Sequence, residues 1–273
     1  MIGRSRGARP IVVVLAAVAA SSCAARLMTL PTGQGAAAAD AREALAEATA
    51  ACRAVSSLTA DASVSGSAGR QRLRARLNLG VQSPASARLE AIGPFARPLF
   101  ILAARGDAAT LLLNDDNRIL QGGRPAEVLE ALTGVPLDAA GLRDALTGCS
   151  SSDAGASEGR ELGEDWRVLQ DGSRSLYLSR NPRAAPWRLV AAVHRAGASP
   201  EWRAEYRDFV DGLPRTIRLV SSDPGRFNLR LELRDVELNP PLPAEAFEVS
   251  VPPSAQPITV DELRRAGPLR PPD

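Results

Sequence analysis

Lysine is absent from this 273-residue chain, and histidine occurs only once. The 33 basic side chains are therefore all arginines, and with 31 acidic side chains they give a formal net charge of +2. Such a balance does not indicate a polyanionic partner, so we expect no binding to nucleic acid. Because alanine, glycine and proline are abundant, the exclusive use of arginine first indicates the codon bias of a GC-rich genome.

Recognisable catalytic and metal-binding patterns are also missing. His194 is the single imidazole, and no motif places a Ser, Cys or acidic residue beside it. Alternation along its strand predicts a solvated ring on the face opposite Trp187 and Leu189. The run Asp115-Asp116-Asn117 lacks EF-hand spacing and a closing Glu, so it favours a hairpin turn. We therefore expect no catalytic residue, no metal site and no cofactor.

The apolar run at the N-terminus is too short to cross a membrane. It covers residues 11–20, about half of what a membrane-spanning helix needs. Three arginines precede it, and the small residues Ala20-Ser21-Ser22 lead directly into Cys23. This order predicts a secretory signal peptide over residues 1–22.

A small-residue cleavage site that ends on a cysteine resembles the lipobox of bacterial lipoproteins. The resemblance implies that Cys23 is lipidated, becomes the first mature residue and anchors the protein in a membrane. Ala20 stands where a Leu is usual. Ala24, which is not acidic, resembles an outer-membrane sorting signal, so we expect an outer-membrane lipoprotein that faces the periplasm. The alternative is an ordinary signal cut near Ala25, which would discard Cys23.

Two cysteines remain if Cys23 carries lipid. In an oxidising compartment Cys52 and Cys149 are expected to form a disulfide. Closing a loop of about 97 residues would stabilise the fold by about 4–5 kcal/mol. Two separate buried thiols are the alternative.

Hydrophobic periodicity predicts a strand-rich domain over residues 40–273, preceded by a flexible tether over residues 23–39. Asp40 is a candidate N-cap for a helix through Ser57. The predicted strands cover residues 73–79, 87–91, 100–104, 110–113, 118–121, 166–170, 175–179, 187–194, 202–209, 215–220 and 228–236. Helices are predicted near residues 125–132, 138–147 and 261–265. This order indicates an α+β fold, a strongly curved antiparallel half-barrel of ten or eleven strands with lid helices on its concave side.

Three stretches resemble the LolA/LolB superfamily, and LolB-like outer-membrane lipoproteins in particular. Residues 88–95 (RLEAIGPF) resemble the "gPfG" turn of that family, although Ala96 replaces its second glycine. Residues 129–137 (LEALTGVPL) and 146–148 (LTG) resemble its lid helices. Residues 233–247 resemble its closing strands. These motifs are structural and include no catalytic group.

The resemblance implies a carrier that holds acyl chains in an apolar cavity and acts in lipid or lipoprotein transfer and insertion. It also implies a periplasmic LolA-like donor as a partner. The cavity candidates are the inward-facing residues Leu73, Leu77, Leu89, Trp187, Leu189, Trp202, Tyr206, Leu229 and Leu231. The alternative is that these residues pack against the lid and leave no cavity.

In LolB-like proteins a protruding apolar loop helps to deliver lipid into the membrane. The matching segment covers residues 94–99, with Phe95 and Leu99 as the expected membrane-inserting residues. Phe95 at a lid contact is the alternative. A non-catalytic scaffold or sensor lipoprotein that binds a protein partner is the alternative function.

Overall fold

The structure is a computed structural model that describes residues 27–69, 71–93, 97–150, 157–181, 185–195, 197 and 200–266. The predicted signal peptide, the lipidation site Cys23 and the loop residue Phe95 lie outside the described residues. Among the residues that are described, no helix is long and apolar enough to cross a membrane.

One open sheet contains all fifteen strands found in the described part of the chain. The strands are β1 (Ala36–Ala37), β2 (Ser57–Ala68), β3 (Gln71–Gln82), β4 (Ser86–Ile92), β5 (Pro98–Arg105), β6 (Ala108–Leu113), β7 (Arg118–Gly123), β8 (Ser157–Glu161), β9 (Trp166–Asp171), β10 (Arg174–Ser179), β11 (Arg188–His194), β12 (Trp202–Arg207), β13 (Thr216–Ser221), β14 (Phe227–Leu238) and β15 (Gln256–Pro257). Their order across the sheet is β1-β8-β9-β10-β11-β12-β13-β14-β2-β3-β4-β5-β6-β7-β15. Neighbours are antiparallel except β7 and β15, which are parallel. The predicted α+β class and half-barrel sheet are confirmed, and the sheet is not closed into a barrel.

The strand count corrects the prediction of ten or eleven. Four strands were not predicted, namely β1, β2, β8 and β15. Strand β2 is the most important, because it joins β14 to β3 and so connects the two halves of the sheet. The end of the predicted tether is also corrected, since Ala36 and Ala37 pair with β8.

The residues that the structure describes include four α-helices: α1 (Ala41–Arg53), α2 (Pro125–Thr133), α3 (Ala139–Thr147) and α4 (Val260–Ala266). Pro125 occupies the first turn of α2, where its missing N–H costs nothing. Asp138 caps α3 by accepting a hydrogen bond of 2.7 Å from the Gly141 N–H. Helix α1 ends at Arg53, before the predicted Ser57, because the next residues enter β2.

The helices α1, α2 and α3 pack on one face of the sheet, which we call the inner face. Helix α1 contacts strands β8 to β11, α2 contacts β6, and α3 contacts β3 and β4. A disulfide between Cys52 and Cys149 joins the end of α1 to the residue after the α3 cap. The disulfide therefore ties the helix that covers one half of the sheet to the helices that cover the other half.

A register shift in β11 changes which of its side chains face inward. The pairing with β10 slips between Tyr177 and Leu178, so that Val190 is the extra residue. Leu189 therefore shares the inner face with Ala192 and with His194. The strict alternation used to predict a solvated His194 is wrong across this bulge.

Candidate functional site

An apolar cavity of about 630 Å³ lies between helix α2 and the inner face of the sheet. Strands β14, β2, β3, β4 and β5 form its walls, and α2 forms its roof. Its apolar lining is Val64, Leu73, Ala75, Leu77, Leu89, Ala91, Ile92, Leu99, Phe100, Leu129, Leu132 and Leu229. The volume falls within the range of sites that hold small organic ligands.

Strand β3 shows why the cavity is open. Along its inner face Leu73, Ala75 and Leu77 are half-buried, whereas Leu79 is buried. These three apolar side chains lack full cover from a helix, so they line the cavity and are not packed in the core. Apolar surface of this kind gains free energy when a nonpolar ligand displaces water from it.

Leu73, Leu77, Leu89 and Leu229 are the predicted cavity residues that the structure brings together around this space. The other five predicted residues belong to the filled core, which corrects their assignment to a cavity. All five are buried: Trp187, Leu189, Trp202, Tyr206 and Leu231.

Packing around Trp187, Leu189 and Tyr206 explains why these three are buried. Helix α1 covers the half of the inner face that includes β11. Two guanidinium groups lie over the Trp187 ring, with Arg167 5.0 Å and Arg180 4.6 Å from its centre. The Tyr206 ring lies beside Gly148, the residue that caps α3.

The roof was missing from the predicted site. Leu129 and Leu132 of α2 line the cavity together with Thr133. Their spacing of three residues places both leucines on one face of the helix, so the sequence could have predicted that they face the cavity together. Thr133 adds no unsatisfied polar group, because its hydroxyl donates a 2.8 Å hydrogen bond to the Leu129 carbonyl.

Leu99 is a further correction. It was predicted in a membrane-inserting loop, but it is the second residue of β5 and its side chain lines the cavity. The Gly93 N–H donates a 2.8 Å hydrogen bond to the Arg97 carbonyl. A Cβ on Gly93 would lie 2.6 Å from the Leu99 Cδ2 atom, so a larger residue there would crowd the cavity wall.

His194 lies on the inner face outside the cavity. Its ring stacks on Trp202 with centroids 3.7 Å apart. Burial lowers the pKa of His194 from 6.5 to about 4, and the positive charge of Arg174 adds to this effect. The ring is therefore neutral at pH 7 and acts as an aromatic packing partner.

Charged groups near the disulfide hold the core together. Arg174 donates a 2.5 Å hydrogen bond to Asp171, and the Ser150 hydroxyl donates one of 2.7 Å to the same carboxylate. Asp144 of α3 lies 3.8 Å from Arg174. These contacts connect α3 with strands β9 and β10. Within the described ranges, no group of three or more His, Cys, Asp or Glu side chains is arranged to hold a metal ion.

Comparison with known proteins gives matches to solved structures alone. No protein-family model matches the sequence, and no curated protein matches it. A LolA superfamily protein from Nitrosomonas europaea matches with a TM-score of 0.53 at 12% identity, over 77% of this chain and 97% of that chain. A putative outer membrane lipoprotein-sorting protein domain from Vibrio parahaemolyticus matches with a TM-score of 0.48 at 14% identity, over 75% and 94%. The chain therefore has the fold of the LolA superfamily.

Proposed function

We propose that this protein is an exported lipoprotein that binds acyl chains of lipids or lipoproteins in the cavity beneath α2. We also propose that it acts in the transfer or insertion of these molecules in the cell envelope. The observation that carries the proposal is the open apolar cavity of about 630 Å³ in a chain with the LolA fold.

The chemistry of the cavity suits a hydrocarbon chain. Each buried methylene contributes about 0.8 kcal/mol, so an acyl chain binds well without precise polar contacts. The lining is mostly Leu, Ala, Val, Ile and Phe. Its polar members are Ser63, Ser65, Arg72, Arg74, Arg76 and Thr133, and the Thr133 hydroxyl already has a hydrogen-bond acceptor. A cavity of this kind recognises the length and shape of an apolar chain more than any headgroup.

The location in the envelope is part of the same proposal. We place the lipid anchor on Cys23, the domain in the periplasm and the anchor in the outer membrane. The Cys52–Cys149 disulfide supports an oxidising compartment. A periplasmic LolA-like donor remains the proposed source of the cargo.

The cavity is tested by measuring bound lipid in a soluble version of the protein. The Cys23→Ala chain, exported behind a cleavable secretory signal, keeps the cavity but carries no anchor. We expect native mass spectrometry and lipid extraction to find about one acylated ligand per chain. Leu77→Glu places a carboxylate in the cavity wall, so bound lipid should fall at least about tenfold, equivalent to about 1.4 kcal/mol.

Leu113→Glu is the matched control. Leu113 is also a half-buried leucine, lies on β6 and is not part of the cavity lining. The control should retain its lipid. A lipid-free Cys23→Ala protein, or equal loss in both variants, would contradict the carrier function. Capture of one specific envelope protein by lipid-free material would instead favour a scaffold.

A further inference from the structure

The face of the sheet opposite the helices, which we call the outer face, is rich in arginine across five neighbouring strands. Residues that lie directly opposite each other on paired strands point to the same face of the sheet. One row of such residues crosses the strands from β12 to β3 and consists of Glu205, Arg218, Arg230, Ser65 and Arg74. The row spans about 19 Å at the usual strand spacing.

The rows on either side extend this surface. They add Arg72 and Arg76 on β3, and Arg203 and Arg207 on β12. Along β2 the same rows carry only serines, whose short side chains leave a shallow strip between the arginines of β3 and those of β14. We call this five-strand surface the arginine face.

Carboxylates on this face are few and already paired. Glu205 accepts from Arg203 at 2.8 Å, and Glu232 accepts from Arg230 at 2.9 Å. Burial lowers the pKa of Arg218, and the neighbouring arginines lower it further against the opposing effect of Glu205.

Three of the arginines are available to an external anion. Arg72, Arg74 and Arg76 are exposed, and none of them has an ion-pair partner among the residues that the structure describes. Guanidinium groups bind phosphate with two parallel hydrogen bonds. These three side chains, spaced two residues apart on one strand, present such groups in a row.

The N-terminal segment enters the domain across the same face. The Met28 N–H donates a 2.9 Å hydrogen bond to Glu205 Oε1, and Leu27 lies beside Arg203 and Val220. Cys23 precedes Leu27 by four residues, which reach at most about 14 Å when fully extended. A lipid on Cys23 therefore holds this face close to the bilayer.

We propose that the arginine face is an electrostatic docking surface for an anionic phospholipid bilayer, with Arg72, Arg74 and Arg76 contacting headgroup phosphates. The orientation rests on the proposed lipid anchor, whereas the charge pattern does not. Arginines near an anionic leaflet strengthen binding by about fivefold each. The inner face of β3 lines the cavity, and Arg72, Arg74 and Arg76 border the same space, so the acyl-chain site and the headgroup surface adjoin along this strand.

The test measures binding of the Cys23→Ala chain to vesicles. Vesicles of phosphatidylethanolamine and phosphatidylglycerol (3:1) should bind it at 50 mM salt and release it at 500 mM salt, and phosphatidylcholine vesicles should not bind it. The triple variant Arg72→Ser, Arg74→Ser, Arg76→Ser should bind about 100-fold more weakly. A control triple variant, Arg42→Ser, Arg53→Ser, Arg105→Ser, removes the same charge from exposed positions outside this face and should stay within about threefold.

A second readout reports the orientation of the lipidated chain. A fluorophore on Ser65→Cys, on the arginine face, should be quenched by spin-labelled headgroups, whereas one on Glu47→Cys of α1 should not. Any of three results would overturn the proposal. These are equal loss of vesicle binding in both triple variants, unchanged vesicle binding in the first triple variant, and quenching of the Glu47 probe alone.

Failure of the carrier function remains distinguishable from failure of this proposal. Leu77→Glu should lose acyl chains and keep vesicle binding. The first arginine triple should lose vesicle binding whatever its content of acyl chains, since its three positions also border the cavity. If the wild-type protein is not lipidated, the expected orientation at the membrane no longer applies. The vesicle assay alone then tests whether the arginine face binds an anionic bilayer.

Discussion

His194 lies flat against Trp202, and its pKa falls from 6.5 to about 4. In the unfolded chain this imidazole binds a proton below pH 6.5, whereas the folded chain resists protonation until about pH 4. The folded state therefore loses up to about 3 kcal/mol of stability as the pH falls through that window. We expect the His194→Phe variant, which keeps a stacked ring but cannot be protonated, to depend less on pH.

Urea unfolding at pH 7.5, 5.5 and 4.5 checks this expectation. The carboxylates contribute equally to the pH dependence of stability in both proteins. The difference in free energy of unfolding between wild type and variant therefore reports the imidazole alone. Parallel pH profiles for the two proteins would contradict the burial of His194.

For individual residues, the alternation of apolar and polar side chains predicted correctly which face of the sheet some positions occupy and failed at others. Leu73 and Leu77 line the cavity, because an uninterrupted strand obeys the two-residue period. His194 faces inward because of the bulge at Val190, which depends on its pairing with β10. Trp187 was assigned to the cavity because sequence cannot show which part of an inner face a helix will cover.

At the scale of elements, Gly66 determines how closely β2 and β14 approach. Its φ is +140°, and a Cβ at this position would lie 2.0 Å from the Asn228 carbonyl oxygen. Gly66→Ala should therefore lower the free energy of unfolding by about 2–3 kcal/mol, since the two strands must separate locally. Chemical denaturation measures this change.

Gly106→Ala is the comparison for Gly66→Ala. Gly106 has a φ of +57° in a turn, and a Cβ there meets nothing within 4 Å. Its substitution should cost only about 1 kcal/mol, from the left-handed backbone alone. Equal costs at the two glycines would show that contact with β14 is not the cause.

Elements with strong local signals were predicted within a few residues. Pro125 and Asp138 mark the starts of α2 and α3, because both residue types satisfy the special chemistry of a first turn. Strand β2 was missed although Leu58, Ala60, Ala62 and Val64 alternate with polar residues. Alanine and serine give little hydrophobic contrast, and the predicted helix ran into the start of this strand.

For the whole molecule, the disulfide closes a loop of 97 residues that includes most of one half of the sheet. Replacing both cysteines in the Cys23→Ala chain by Cys52→Ala and Cys149→Ala should lower the free energy of unfolding by about 4–5 kcal/mol. Dithiothreitol should produce a comparable loss in the parent chain and none in the variant. Equal unfolding curves for parent and variant would show that the bond adds nothing.

Both edges of the sheet end in strands of two residues. Strand β1 contributes Ala36 and Ala37, and β15 contributes Gln256 and Pro257, which has no N–H to donate. An outermost strand this short gives another chain almost no ladder to extend. Copies confined to one leaflet collide frequently, because they diffuse in two dimensions. We therefore expect them to meet repeatedly without polymerising through strand exchange.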